Sequence, residues 1–290
     1  MKDYIVRGTD KTKSFRFFGA LTTNLVNEAT SRHQTSPVAS AALGRAMTGV
    51  SMMGQMMKSP TDRVGISIKG DGPIRGIIVE ANGFGDVKGY VIEPNVNIPN
   101  NENNKLDVRN AIGNAVMTVI KDIGLKEPSI GQVAMLSGEI AEDLTDYFMV
   151  SEQTNSVVAL GVLVDLDCSI KQSGGFIIQV LPDAKEDAID ALEEKIKSFT
   201  SVTGNMEEGK TVEQILESLL GKVDFMEKID IKFDCDCSRD RMEKGLISIG
   251  RRDLEDIVND NQDDVELVCH FCNEKYLFDK EDIKEILQTI

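Results

Sequence analysis

The amino-acid sequence predicts an α+β protein with a large mixed core, a helical linker and a small cysteine-rich C-terminal domain. Strand-like and helix-like segments alternate up to about residue 181, acidic amphipathic segments follow, and four of the five cysteines lie in the last quarter of the chain. The chain has 290 residues, of which 41% are apolar, and this length accommodates two or three structural units. We therefore expect domains at residues 1–181, 182–230 and 231–290.

In the first part of the chain, the spacing of apolar residues predicts both helices and strands. Residues 14–21 fit a strand and residues 23–33 a helix. Ser36 and Pro37 supply an N-cap and a first-turn proline for a long helix over residues 38–57. A further helix is expected at 140–152. Apolar runs between glycine-rich turns predict strands at 64–69, 74–81, 87–92, 115–120, 157–167 and 175–181.

The composition changes after Pro182. Residues 183–199 and 211–220 carry apolar side chains at helical spacing, with many acidic residues between them. Isolated helices of this length are marginal in water, so their apolar faces need to be covered. We interpret residues 182–230 as a helical linker that rests on the core.

The charge balance excludes some classes of partner. The chain has 48 acidic and 32 basic side chains, a net charge of -16, which repels the phosphate backbones of nucleic acids. No run approaches the roughly 18 to 20 apolar residues that cross a membrane, and the first residues lack the apolar stretch of a secretion signal. We therefore expect a cytoplasmic protein that binds neither nucleic acid nor a membrane.

Two close pairs of cysteines predict a metal site. One residue separates Cys235 from Cys237, and two residues separate Cys269 from Cys272. Such pairs can converge on one tetrahedral ion, since each supplies two thiolates from a single turn. The sequence therefore predicts a zinc-binding domain that holds one Zn2+ per chain in its reduced form. The C-x-C spacing is unusual for a purely structural site, and two thiols so close together can form a local disulfide when the metal leaves.

Other residues near these cysteines have simpler interpretations. His270 lies between Cys269 and Cys272, but four sulfurs already complete a structural zinc site, so we expect it to be exposed. Cys168 follows a strand-like run and is expected to be a small buried apolar residue. Four thiolates around Zn2+ leave a net negative charge, and the candidate counter-charges are Arg239, Arg241, Arg251, Arg252 and Lys275.

A phosphate-loop pattern, G-x-x-x-x-G-K-T, occurs at residues 204–211. A phosphate loop should follow a buried apolar strand, whereas residues 197–203 are polar and follow a predicted helix. Glu207 and Glu208 would also put negative charge where the phosphates lie. Thr211 and Gln214 fit the capping box of the next helix better, so no nucleotide is expected.

No arrangement of residues indicates an enzyme. The chain has only two histidines, and His33, at the end of a Ser/Thr-rich helix, fits a solvated or capping residue better than a general base. We therefore expect a binding function with no catalytic residues. A cluster of methionines on the helix after Pro37 fits either the core or an adaptable surface for varied apolar partners; its members are Met47, Met52, Met53, Met56 and Met57.

The sequence resembles the 33-kilodalton heat-shock chaperonin family of redox-regulated, ATP-independent holdase chaperones. The most specific likeness lies in the segments around the cysteines, CDCSRDRME from Cys235 and CHFCNEKYLF from Cys269. Residues 29–46 and 68–90 are also similar, so the resemblance covers nearly the whole chain.

This resemblance implies that Cys235, Cys237, Cys269 and Cys272 bind zinc while they are reduced. Oxidation then forms Cys235–Cys237 and Cys269–Cys272 disulfides, releases the zinc and unfolds the zinc domain and the linker. Zinc binding to a small domain contributes on the order of 10 kcal/mol to folding, which agrees with this behaviour. The implied partners are unfolded or partly unfolded client proteins, and the active form is implied to be a homodimer. A zinc module that only docks a partner would instead keep its metal during mild oxidation.

Overall fold

A single helix, α2 (Pro37–Gly54), forms the centre of the fold, and nearly all of its residues are buried. The structure is a computed structural model that describes residues 2–259 and 264–289. Small residues on α2 allow neighbouring elements to approach closely. A Cβ atom at Gly44 would lie 2.7 Å from Cγ1 of Val26, and a Cβ at Gly49 would lie 2.7 Å from Cδ1 of Leu144. Larger side chains on α2 would therefore push its neighbours apart.

Two antiparallel five-stranded sheets pack around α2. The first has the strand order β10-β1-β2-β9-β8. Its strands are β1 (Tyr4–Asp10), β2 (Phe15–Leu21), β8 (Ser156–Val164), β9 (Ile170–Val180) and β10 (Val223–Asp230). The second has the order β5-β4-β3-β6-β7. Its strands are β3 (Arg63–Gly70), β4 (Gly76–Asn82), β5 (Val87–Val91), β6 (Ala115–Asp122) and β7 (Ser129–Met135).

The main apolar core lies around α2, between the two sheets. The helix packs against β4 and β5 of the second sheet and against β8 and β9 of the first. Three more helices border this core: α1 (Thr23–His33), α3 (Val108–Ile112) and α4 (Ala141–Glu152). The cluster of methionines belongs mainly to this core, since Met47, Met52 and Met53 are buried while Met56 and Met57 are partly buried against it.

The other face of the first sheet carries a second apolar cluster, which three helices cover. These helices are α5 (Glu186–Ser198), α6 (Val202–Glu207) and α7 (Val212–Leu220). Their side chains, such as Leu192 and Leu216, pack on sheet residues that include Phe17. Because both faces of this sheet are covered, β2 and β9 are buried along most of their length.

After β10 the chain runs along β5. The amide of Ile231 donates to the carbonyl of Asp3, and the amide of Val87 donates to the carbonyl of Lys232. A further bond, from the amide of Asp234 to the carbonyl of Val87, ends this contact. The first compact unit therefore extends to Asp234, and the second begins at Cys235.

The second unit is small. It consists of α8 (Arg239–Ile249), α9 (Arg251–Asn259), β11 (Asp264–Val268), β12 (Lys275–Asp279) and α10 (Lys280–Thr289). Strands β11 and β12 form an antiparallel pair. The buried apolar residues in its described part are few: Leu246, Leu254, Phe278, Ile283 and Ile286. Domains below ~70–80 residues rarely reach adequate stability from such a core alone.

The predicted α+β class is confirmed. The predicted helices at 23–33, 38–57 and 140–152 correspond to α1, α2 and α4, although α2 ends at Gly54. Segment 182–230 belongs to the first compact unit and contains the strand β10 in addition to the predicted helices. Strands β1, β7, β10, β11 and β12 were not predicted. The functional division into core, linker and zinc domain stays a prediction.

Candidate metal centre

The turn between β11 and β12 brings Cys269 and Cys272 together. The amide of Cys269 donates to the carbonyl of Glu274 at 2.9 Å, and the amide of Asn273 donates to the carbonyl of Cys269 at 2.8 Å. Asn273 has a φ of 61°, in the left-handed region that asparagine adopts more readily than most residues. The C-x-x-C sequence thus closes a tight knuckle, in which both cysteines are buried.

The other pair, Cys235 and Cys237, lies on the segment that leads into α8. Ser238 is the N-cap of this helix, and its Oγ accepts a hydrogen bond from the amide of Arg241 at 3.2 Å. The cap fixes where the helix begins and therefore where Cys237, one residue earlier, is held. Both cysteines of this pair are only partly buried.

The four sulfur atoms lie within 4.8 Å of one another. Sγ of Cys235 is 3.7 Å from Sγ of Cys269, and Sγ of Cys237 is 3.3 Å from Sγ of Cys272. The sulfur–sulfur bond of a disulfide is about 2.05 Å long, so these distances are too long for a disulfide. A tetrahedron with metal–sulfur bonds of about 2.3 Å has sulfur–sulfur edges of roughly 3.8 Å. The four cysteines form no disulfide, and the spacing of their sulfurs fits one metal ion that prefers soft ligands, such as Zn2+.

The protein alone does not favour thiolates at all four positions. Burial raises the pKa of Cys235 to about 11 and also raises the pKa of Cys272. Burial acts in the same direction on Cys237, but hydrogen bonds, the largest from the hydroxyl of Tyr276, outweigh it and lower the pKa of that thiol. A bound cation would supply the charge that allows the remaining thiols to ionise.

Four of the five basic side chains expected to balance this charge, Arg239, Arg241, Arg251 and Lys275, pair with carboxylates. Arg241 lies 2.7 Å from Asp236, Arg239 lies 2.6 Å from Asp282, and Lys275 lies 3.0 Å from Glu266. These ion pairs are exposed or half-exposed and each contributes little to stability. His270 is exposed, as predicted.

One residue of the site was missed by the sequence analysis. The hydroxyl of Tyr276, on β12, donates a hydrogen bond to Sγ of Cys237 at 3.2 Å. Tyr276 follows the C-x-x-C pair by only a few residues. Its spacing of two residues from Phe278 was the signal in the sequence that it shares a face of the strand with that core residue.

The phosphate-loop pattern does not form a phosphate-binding loop. Gly204 and Glu207 lie inside α6, and the amino group of Lys210 pairs with Asn205 and Glu208. The predicted capping box is confirmed. The amide of Gln214 donates to the side chain of Thr211, and the amide of Thr211 donates to the side chain of Gln214.

The prediction for Cys168 was wrong. This residue is exposed, with a φ of 68°, in the turn that joins β8 to β9. Strand β8 ends at Val164, and Cys168 donates its amide to the carbonyl of Asp165 within that turn. His33, the other histidine, ends α1 beside the ring of Tyr90.

Among the described residues, no helix combines the length and the apolar character needed to cross a bilayer.

Comparisons with known proteins find similar chains over almost the whole length of this one. The sequence profile of the family described as Hsp33 protein matches residues 3–279. A protein of Lachnoclostridium phytofermentans named 33 kDa chaperonin is 47% identical over 289 residues, 99% of each chain. A protein of the same name from Ruminiclostridium cellulolyticum is 48% identical over 290 residues, also 99% of each chain. The crystal structure of the 33 kDa chaperonin of Thermotoga maritima superimposes with a TM-score of 0.93 at 35% identity, covering 100% of this chain and 99% of that one.

Proposed function

The chain belongs to the Hsp33 family of chaperones, and from that premise we propose that it is an ATP-independent holdase switched on by oxidation of its four-cysteine site. In the reduced state, Cys235, Cys237, Cys269 and Cys272 hold one Zn2+. Oxidation forms the disulfides Cys235–Cys237 and Cys269–Cys272, and the zinc leaves. The protein then binds partly unfolded proteins and prevents their aggregation.

The observation that carries this proposal is the convergence of four cysteine sulfurs in a unit with a very small apolar core. Bound zinc would supply folding free energy and hold four thiolates in one tetrahedron. The cysteines reach this site from two separate segments, the one before α8 and the turn between β11 and β12. Removing the ion removes the link between these segments, so the unit is expected to unfold.

The linker, residues 182–230, is the second part of the proposed switch. Its helices α5, α6 and α7 cover an apolar sheet face that includes Tyr4, Phe15 and Phe17. The chain runs from this segment through Asp234 directly into Cys235. If residues after Cys235 unfold, the linker loses the folded unit that follows it in the chain. Release of the linker helices from the sheet would then expose apolar surface to which clients can bind.

The partners follow from this function. Clients are proteins that expose apolar segments as they unfold, and the acidic surface, with a net charge of -16, is unsuited to nucleic acid. We propose that the chain acts in the cytoplasm, forms a homodimer when active and needs no nucleotide.

Aggregation of a heat-unfolding reporter protein tests the proposal. The reduced, zinc-loaded chain should have little effect on light scattering, whereas the chain treated with peroxide and mild heat should suppress it at near-equimolar ratio. Added ATP should change neither result. Equal suppression by the reduced and the oxidised chain would rule out the switch. Zinc that stays bound throughout mild oxidation would indicate a docking module instead.

A further inference from the structure

Residues 231–234, which we call the strap, follow β10 and lie against β5, the edge strand of the second sheet. Both backbone groups of Val87, on β5, bind the strap. Its amide donates to the carbonyl of Lys232 at 3.1 Å, and its carbonyl accepts from the amide of Asp234 at 3.0 Å. The two segments run parallel, with Phe233 opposite Val87. The strap therefore occupies the outer edge of β5 as a short added strand.

The side chains of the strap alternate between the core and solvent. Ile231 is 5% exposed and belongs to the main apolar core, and Phe233 packs partly against the same core. The guanidinium of Arg32, on α1, lies 5.4 Å from the centre of the Phe233 ring. Lys232, between the two apolar residues, is exposed. The site under the strap thus accommodates an extended segment with apolar side chains two residues apart.

We propose that this edge of β5 is a binding site for extended apolar segments of client proteins, and that the strap occupies it in the reduced chain. This inference rests on the proposed function. Addition of an extended segment to a sheet edge is a general mode of peptide recognition, in which the backbone gives affinity and alternate side chains give selectivity. The bound strap defines the segment that fits, a parallel one with apolar residues at alternate positions. A client exposes such segments when its own strands unfold.

The position of the strap in the chain gives a reason for the site to open on activation. The strap follows the linker and precedes the second unit, and these are the two parts that the proposed switch unfolds. A segment tethered closely to its site has an effective concentration on the order of millimolar, which excludes weaker competitors. When both flanking segments become long flexible chains, this effective concentration falls and segments of a client can compete.

Hydrogen exchange at the amide of Val87, measured by mass spectrometry on the full-length chain, reports whether the site is occupied. In the reduced, zinc-loaded wild type, the bond to Lys232 should protect this amide. Peroxide with mild heat should accelerate its exchange, and an excess of the heat-unfolding reporter protein should restore protection. A strap with a purely structural role would give no such restoration.

Ile231→Ala should loosen the strap without oxidation. Truncation of this buried side chain should accelerate exchange at Val87 roughly 30-fold or more in the reduced chain. A fluorescein-labelled peptide with the sequence of residues 229–234, IDIKFD, should then bind the reduced variant at least tenfold more tightly than the reduced wild type. Metal analysis should find equal zinc in both proteins.

Two controls separate the strap from general effects. Lys232→Ala changes the exposed side chain of the strap, so this variant should exclude the peptide as the wild type does. A peptide with serine in place of its isoleucines and phenylalanine should bind none of the proteins. Phe233→Ala, at a less buried position, repeats the test if Ile231→Ala also accelerates exchange in β3 and β6.

Equal peptide affinities of the reduced wild type and the strap variants would overturn the inference. Slow exchange at Val87 in an oxidised chain that suppresses aggregation would also overturn it, and would leave the proposed function intact. So would protection that returns without the reporter protein and rises with chain concentration, because the strap of a second copy would then fill the site. If peroxide failed to activate the wild type, the proposed function would fail, and peptide binding to reduced Ile231→Ala would still support the site on β5.

Discussion

The hydroxyl of Tyr4, on β1, donates a 2.7 Å hydrogen bond to the carboxylate of Glu213, on α7. The amino group of Lys228, on β10, lies 2.8 Å from the same carboxylate and 3.5 Å from the centre of the Tyr4 ring. These three side chains join the last linker helix to two strands of the first sheet. The polar contact adds a geometrically specific attachment to an interface that is otherwise apolar.

Glu213→Gln should loosen α7. Glutamine keeps the size of the side chain but loses the ion pair with Lys228, at a cost of about 1 kcal/mol, or roughly fivefold in the opening equilibrium of the helix. Amide hydrogen exchange in α7 should accelerate accordingly. Glu217→Gln, at an exposed position of the same helix, should have little effect. Equal acceleration in both variants would contradict a specific role for Glu213.

The contribution of Glu213 should depend on pH. Burial raises the pKa of this carboxyl, but hydrogen bonds from Lys228 and Tyr4 outweigh it and hold the pKa below its ordinary value. A group whose pKa is lower in the folded state stabilises that state above its unfolded pKa, about 4.3 for glutamate, and loses this contribution as the pH falls through the folded pKa. The difference in unfolding free energy between the wild type and Glu213→Gln should thus be full at pH 7 and vanish in acid. A difference in unfolding free energy that grew as the pH fell would contradict this prediction.

Gly19→Ala should separate α7 from the sheet without altering the cysteine site. A Cβ atom at Gly19 would lie 2.6 Å from Cγ1 of Val212 and 2.8 Å from Cδ1 of Leu216, both on α7. Overpacking of this kind costs about 1 to 3 kcal/mol. If release of the linker exposes the client-binding surface, the reduced variant should suppress aggregation while it still holds zinc.

A strand glycine in the other sheet provides the control for Gly19→Ala. A Cβ atom at Gly65 would come no closer than 3.3 Å to a neighbour, the carbonyl oxygen of Val79. Gly65→Ala should therefore remain inactive when reduced. Activity in both variants would mean that general destabilisation, rather than release of α7, exposes the surface.

Cys269→Ser should weaken metal binding and unfold the second unit alone. Loss of a residue that only hydrogen-bonds a metal ligand lowers metal affinity by ~10- to 100-fold. Loss of the ligand Cys269 itself should lower the affinity for zinc by more than this. Zinc competition with a chelator measures the affinity, and hydrogen exchange in β3, β4 and β6 should stay slow. Cys168→Ser is the control, since Cys168 is exposed in the turn between β8 and β9. Loss of protection in those core strands would show that the two units do not fold independently.

Some features of this protein were predictable because they depend on local patterns. The start of α2 follows from Ser36 and Pro37, and the capping box of α7 follows from Thr211 and Gln214. The convergence of the cysteines follows from two short spacings that each bring two sulfurs into one turn. Each of these signals lies within a few residues of sequence.

Other features depend on contacts between distant segments. Strand β1 contains Arg7 and Gly8, and its pairing with β2 and β10 rather than its composition makes it a strand. Strand β10 alternates poorly and is largely exposed, and β7 lies at the edge of its sheet. The hydrogen bond from Tyr276 to Cys237 was equally hidden, because it depends on the register of β12 and on the position of Cys237.

The most direct test of this account compares the reduced chain with and without its metal. Metal analysis should find one zinc per chain. Chelation under reducing conditions should then accelerate hydrogen exchange throughout residues 235–290 and in α5 to α7, while the strands around α2 stay protected. A reduced chain that contains no metal and is nevertheless fully protected in residues 235–290 would contradict the account.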